Sequence, residues 1–330
     1  MSVGQPQAGS SSPTSAETSA PGVYYLAPHA DDVVLSCAGQ VRSDVEAGRR
    51  VTLITVFLSG RDADTRRAED ERAAQVLGCH YLSLDLFDAA DRPEVHGRLG
   101  VFGAYGPPHL GITSEVVARL LWHIAAPAEL YAPLAVGGHI DHRIVHEAAR
   151  ALGYQQRLTL RYYEDQPYSL APYALGRRLA ALEAEPLPML PGTGRASPSD
   201  ELRAARDFYR QLPLLKSVLP GLRFFGGHLL ARAALIADGT GQRPGVRPQL
   251  QAQLREVSAH RPRRTAALAA YASQWPQFAS SPAALEAQLH RYGQSLRPPE
   301  PADPVPPSTA ASYERFWQDQ AMGPGTGPQR

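Results

Sequence analysis

At 330 residues and a formal net charge of +1, the chain has material for one large or two small domains and no strong basic or acidic bias. That balance offers no electrostatic footprint for nucleic acid or a membrane surface, and no stretch is long and apolar enough to span a bilayer. Cys37 and Cys79 both fall within apolar periodic segments, which favours buried free thiols over a disulfide or a Cys-based metal site and points to a reducing, cytoplasmic setting.

Residues 1–21 are rich in Ser, Thr, Gly, Ala, Pro and Gln without the basic and apolar regions of a signal peptide, so they read as a disordered leader. From Val23 to Ala27 the chain reads as a strand covered on both faces, ended by Pro28. A helix starts almost at once: Val33, Val34, Cys37, Ala38, Val41 and Val45 recur at helical spacing, with Asp31 or Asp32 as the cap and Gly48 as the stop. Residues 51–58 form a β-branched, apolar run expected as a central parallel strand. A helix capped by Asp64 or Thr65 and stopped by Gly78 follows, then a strand over 80–84.

Residues 87–111 show no period and are expected to form a loop overhanging the site. A helix over 113–125 opened by Thr113-Ser114-Glu115, a strand over 130–134, a helix over 143–152 stopped by Gly153 and a strand over 158–163 continue the alternation. The pattern predicts an α/β, Rossmann-like fold, a mostly parallel sheet with helices on both faces. Segments 201–214, 249–258, 264–274 and 283–292 have helical composition between Pro- and Gly-rich connections, which predicts an irregular, partly helical layer. Beyond Arg297 the composition is that of a tail, with 313–317 as one short docking helix. The expected organisation is a leader over 1–21, one domain over 22–296 with a motif-bearing core at 23–168 and a substrate-shaping part at 169–296, and a largely disordered tail over 297–330.

Two charged clusters stand at strand-to-helix turns: Pro28-His29-Ala30-Asp31-Asp32 after the first strand, and Gly138-His139-Ile140-Asp141-His142 after a later one. In open α/β sheets ligands bind beyond the carboxyl ends of strands. Alone, His-x-x-Asp at a helix start is usually a cap and His-x-x-His is usually surface. Together His29, Asp32 and His142 make a three-ligand set of the kind that holds a catalytic zinc with a fourth position open. Asp31 is the natural base for a water, and His139 the natural donor to a developing oxyanion. Asp141 reads equally as a hydrogen-bond acceptor from a histidine of the site or as the cap of the next helix.

These residues resemble the PIG-L / LmbE-like family of zinc-dependent N-deacetylases, whose motifs read roughly (A/P)-H-P-D-D-E and H-x-D-H. The resemblance continues through Arg66-Arg67-Ala68-Glu69-Asp70, Leu77-Gly78 and Glu164-Asp165-Gln166-Pro167-Tyr168, so it covers about 23–168. It implies Zn²⁺ bound by His29, Asp32 and His142, Asp31 as general base toward a metal-bound water, and His139 assisting the tetrahedral intermediate. It also implies removal of an acetyl group from an N-acetylglucosamine-type or related N-acylated sugar or glycoconjugate. By position Arg66 and Asp88 are candidates to contact the sugar, against the plainer roles of a helix-surface salt bridge and a loop cap. Ala30 stands where the family has Pro, and Val33 where it has Glu. Neither change touches a proposed ligand or base.

Two His and one carboxylate also describe the facial triad of non-haem Fe(II) oxygenases, so Fe²⁺ is the alternative metal. Strands alternating with helices, and the presence of Asp31, favour the hydrolase. A non-catalytic Rossmann-type binding module lacks its Gly-x-Gly-x-x-Gly in the first turn. His146, one turn past His142, reads as a core histidine or a support for a ligand, since Glu147 does not lie between the two as a zincin requires.

Overall fold

The structure, a computed structural model, describes residues 21–93, 95, 101–102, 107–171, 174–182, 250–296 and 311–320. Seven strands form one sheet: β1 (Gly22–Ala27), β2 (Val51–Ser59), β3 (His80–Phe87), β4 (Ala128–Pro133), β5 (Thr159–Tyr163), β6 (Leu250–Glu256) and β7 (Tyr313–Asp319), in the order β3-β2-β1-β4-β5-β7-β6. The first five are parallel, and β7 runs antiparallel to both β5 and β6. Helices α1 (Asp32–Glu46), α2 (Ala63–Leu77), α3 (Pro107–Leu121), α4 (Ile140–Gln156), α5 (Ala174–Ala181), α6 (Arg261–Ala269) and α7 (Pro282–Ser295) cover it.

Strand periodicity splits the apolar residues between two cores, one on each face. In β1, Tyr24 and Leu26 join one core with Ile144 and Val145 of α4, while Val23, Tyr25 and Ala27 join the other with Val34 and Val41 of α1. The α/β expectation therefore holds. The chain leaves β1 toward β2 and β3 on one side and later continues from β4 to β5 on the other, so the order reverses between β1 and β4. That reversal opens a crevice at the carboxyl ends of the two strands.

Several helix boundaries differ from expectation. Asp31 occupies the cap position of α1, but neither it nor Asp32 caps through its side chain, and α2 is entered through a left-handed Asp62 instead of Asp64 or Thr65. Helix α3 begins at Pro107, within the stretch expected as loop, because Pro suits a first turn whose N–H groups need no partner. Thr113 and Ser114 then lie inside it, their hydroxyls donating to the carbonyls of His109 and Leu110. The 87–111 loop is further shortened by a 3₁₀ turn at Ala89–Asp91.

Two expected helices are strands. Leu250, Ala252 and Leu254 alternate with polar residues at the period of a strand, and this run is β6. Residues 313–317 belong to β7, where Phe316 and Trp317 are buried on opposite faces between β5 and β6. Segments 264–274 and 283–292 correspond in part to α6 and in full to α7. Residues 1–20 of the expected leader 1–21, the helix expected at 201–214 and most of the tail lie outside the described residues.

Helix α1 breaks at Cys37 (φ −149°, ψ 26°). The N–H groups of Gly39 and Gln40, freed by the break, donate to the carboxylate of Glu314 in β7 at 2.9 and 2.8 Å. Gly39 is required there, since a Cβ would stand 2.5 Å from that of Val257.

Candidate active site

The turn after β1 carries His29, Asp31 and Asp32. Asp31 adopts φ 87°, ψ −30°, and the backbone N–H of His29 donates to Asp32 Oδ2 at 2.8 Å. After β4 the chain passes through Ala135, Gly137 and Gly138, all at positive φ, into α4. A Cβ on Gly137 would meet the Tyr168 ring at 2.7 Å, so glycine fits both the conformation and the packing. His139 caps α4, its Nδ1 accepting from the N–H of Asp141 at 3.2 Å. The cap is thus the histidine, and Asp141 is free for the other role considered for it.

The structure brings the proposed ligands together. Oδ2 of Asp32 lies 3.4 Å from Nδ1 of His29 and 3.4 Å from Nε2 of His142. Ligands of a tetrahedral zinc at ordinary bond lengths are about 3.3–3.5 Å apart. The far ring nitrogens are both occupied: His29 Nε2 pairs with Asp141 Oδ2 at 2.9 Å, and His142 Nδ1 with Asp165 Oδ1 at 2.6 Å. These carboxylates are themselves fixed. Asp141 accepts from the Arg92 guanidinium and from the N–H of Ala89, and Asp165 from the N–H of Val136. Carboxylate-held imidazoles with one nitrogen facing a shared carboxylate are the arrangement that orients metal ligands.

The electrostatics agree. Burial opposes protonation of His29 and His142, yet Asp88, Asp141 and Asp32 around the first, and Asp32 and Asp165 around the second, raise both above the usual range. Against burial, His142 and His29 hold the Asp32 carboxyl low. A cation at this point would replace those protons. Burial, and then the charge of Asp32, push the Asp31 carboxyl well up, and among the described residues no hydrogen-bond partner engages it. His139 sits beside the pair, its ring 4.8 Å from His29 and 5.3 Å from His142 between centroids. Burial and the neighbouring His29 push its imidazole down to about 3. It is therefore neutral, and with Nδ1 accepting, Nε2 carries the proton.

Among the described residues, two trios of potential ligands stand out by proximity: His29, His139 and His142, and His29, Asp88 and Asp141. Asp141 is already saturated by Arg92, Ala89 and His29, which leaves the histidine side of the site, with Asp32, as the centre the donors favour. Asp88 lies 3.8 Å from His29 Nε2 and 3.4 Å from the Arg66 guanidinium, and it also caps the turn at Ala90. Arg66 and Asp88 thus pair at the rim of the site, both partly exposed. His146 stands apart, bonded to the carbonyl of Pro133 at 2.9 Å and stacked on Tyr162 in the core.

Two supporting residues have no role assigned by the sequence, Asp165 within the quoted Glu164–Tyr168 stretch and Arg92. Asp165 follows strand β5 by two residues, a strand-end position that is a usable signal. Arg92 lies in an aperiodic stretch and gives none. Next to Asp165, Glu164 accepts from the Arg315 and Trp317 side chains of β7 and from the Tyr292 hydroxyl of α7, locking the C-terminal strand beside the site.

Residues 24–152 match a family model described as PIG-L: GlcNAc-PI de-N-acetylase. The 2'-N-acetylparomamine deacetylase of Streptomyces fradiae is 34% identical over 165 residues, which is 44% of this chain and 56% of that protein. The match thus spans little more than half of the relative's length. Among solved structures, the zinc inhibited form of teicoplanin deacetylase Orf2 aligns with a TM-score of 0.55 at 15% identity, covering 90% of this chain and 97% of the other. The A40926 pseudoaglycone deacetylase Dbv21 aligns at 0.54 with 17% identity, covering 90% and 96%. At these identities the two structures share the fold.

Proposed function

We propose, from the match of residues 24–152 to the PIG-L family model, that this chain is a zinc-dependent hydrolase that removes the acetyl group from an N-acetylated amino sugar or its glycoconjugate. The observation that carries this reading is the position of Asp32 Oδ2, equidistant from one nitrogen each of His29 and His142 while Asp141 and Asp165 hold the other two. The donor set of two imidazoles and a carboxylate suits zinc. The relative named for 2'-N-acetylparomamine, together with the family description, supports the substrate class.

A divalent ion held by His29, Asp32 and His142 would supply Lewis acidity to the amide carbonyl and lower the pKa of water beside it. Asp31 takes the proton of the attacking water. Its carboxyl is uncommitted, and burial raises it above the usual carboxylate range. His139 donates its Nε2–H to the carbonyl oxygen as negative charge builds there. The proton held on Asp31 then passes to the leaving amine, so that acetate and a free amino sugar result. Arg66 and Asp88 at the rim offer a donor and an acceptor to sugar hydroxyls.

The test is free-amine release from a panel of N-acetylglucosaminides and 2'-N-acetylparomamine, with and without added Zn²⁺. Release from at least one member in the presence of metal is expected. No release from any member with either Zn²⁺ or Fe²⁺ would overturn the reading.

A further inference from the structure

The segment after β3 and the first turn of α4 meet at one carboxylate. Asp141 is fully buried, and a charge so placed needs both a partner and a full set of hydrogen bonds. Its Oδ2 faces the ring Nε2 of His29 and the N–H of Ala89, each at 2.9 Å, while its Oδ1 takes the Arg92 guanidinium at 2.5 Å. The arginine thus balances the charge and stops the carboxylate from turning, which keeps Oδ2 on the imidazole.

Arg92 is held in turn from two sides. The other N–H arm of its fork donates to the carbonyl of Phe87, the last residue of β3, at 3.3 Å, and the guanidinium lies over the Phe57 ring, 5.1 Å from its centroid. Phe57 closes the circuit, since its N–H donates to the carbonyl of Pro28, the residue before His29, at 2.9 Å. Backbone and ring of His29 are therefore both located by groups that touch Arg92. The same side chain spans the turn that carries Asp88. Its fork bonds the residue before Asp88, and its own backbone N–H bonds the carbonyl of Ala89, the residue after, at 3.3 Å.

We infer that Arg92 is a positioning residue that sets two things at once, the direction in which His29 presents Nδ1 to the ion and the place of Asp88 at the rim. The inference rests on the reading of His29 as a metal ligand and of Asp88 as a sugar contact, and it couples metal coordination to sugar recognition through one side chain. A residue that only tied the loop to the core would lower thermal stability and leave the ligand field of a bound ion as it was. Loss of a positioning residue changes that field, because the angle and donor strength of an imidazole depend on the carboxylate behind it.

The experiment compares Arg92→Gln and Arg92→Lys with wild type in the full chain. Zn²⁺ affinity is read by chelator competition, the ligand field by the visible absorption of the Co²⁺-loaded proteins, and sugar recognition by KM on 2'-N-acetylparomamine. Arg92→Gln should weaken zinc about 10–100-fold, displace the Co²⁺ bands and raise KM several-fold. Arg92→Lys, which keeps the charge but not the fork, should fall between the two in zinc affinity and band position, with KM still raised. If Arg92→Gln fails to fold, Arg92→Lys decides alone. Wild-type zinc affinity and bands in the variants, whatever their thermal stability, or displaced bands with KM unchanged, would overturn the proposal. Absence of amine release from wild type would instead remove the proposed function, an outcome that the zinc and Co²⁺ measurements keep separate.

Discussion

Nδ1 of His142 and Oδ1 of Asp165 stand 2.6 Å apart, each side chain only 1% exposed. This bond joins the turn after β5 to the first turn of α4 and leaves His142 Nε2 facing Asp32. It fixes both the ring orientation and which nitrogen can give its lone pair to a cation.

Asp165→Ala should therefore weaken zinc binding by about 10–100-fold although Asp165 touches no metal position, the range seen when such supporting carboxylates are lost. Competition titration against a chelating dye measures it. Wild-type affinity in the variant would show that His142 needs no such support.

The two adjacent aspartates should fail differently. Asp31→Asn should keep zinc and lose about 10²–10⁴-fold in kcat, the usual contribution of a positioned base, whereas Asp32→Asn should lose zinc affinity first. Elemental analysis beside steady-state kinetics separates the two. Identical behaviour would contradict the division of labour, which rests on Asp32 being held between His29 and His142 while Asp31 stays uncommitted.

How much of this site was legible beforehand follows from what each residue depends on. His29, Asp31, Asp32, His139 and His142 lie in short motifs at strand ends, and strands β1, β2, β4 and β5 announce themselves as apolar runs, so the sequence pattern alone reaches them. Asp165 and Arg92 owe their roles to partners 23 and 49 residues away and carry no local period. Strand β7 is hidden from its local composition for the same reason. Its run Tyr-Glu-Arg-Phe-Trp-Gln-Asp is covered on both faces by neighbours distant in sequence, so it does not alternate, and pairing with β5 and β6 overrides local composition. The break in α1 at Cys37 was equally invisible, because the group that satisfies it, Glu314, lies 275 residues on.

His139 should act only in the transition state. Its neutral Nε2–H donor predicts that His139→Ala keeps zinc and KM while kcat falls about 10²–10³-fold, roughly 2.7–4 kcal/mol. With the imidazole pushed down to about 3, it carries no titration at neutral pH, so the high-pH limb of the kcat profile should keep its position in the variant. Zinc loss from His139→Ala would instead make it a ligand alongside His29 and His142.

Glu314 gives a pH signature in stability. Burial, partly offset by Arg264 and by the N–H groups of Gln40 and Gly39, pushes its carboxyl from 4.5 up to about 7. A folded pKa above the unfolded one means that the folded state holds the proton more tightly. The contribution is complete below the unfolded value and is lost as pH rises through about 7. Glu314→Gln does not titrate, so it should gain stability relative to wild type between about pH 5 and about pH 8. Thermal melts of both proteins at the two pH values decide it, and a constant difference would contradict the assignment.

The most direct measurement is amine release from 2'-N-acetylparomamine by chelator-stripped protein, before and after addition of one equivalent of Zn²⁺ per chain. Stripped wild type should release no amine and recover with zinc, and His29→Ala and His142→Ala should neither retain the ion nor recover. Amine release that persists at full rate without metal, or full recovery in both variants, would contradict a hydrolase built on His29, Asp32 and His142.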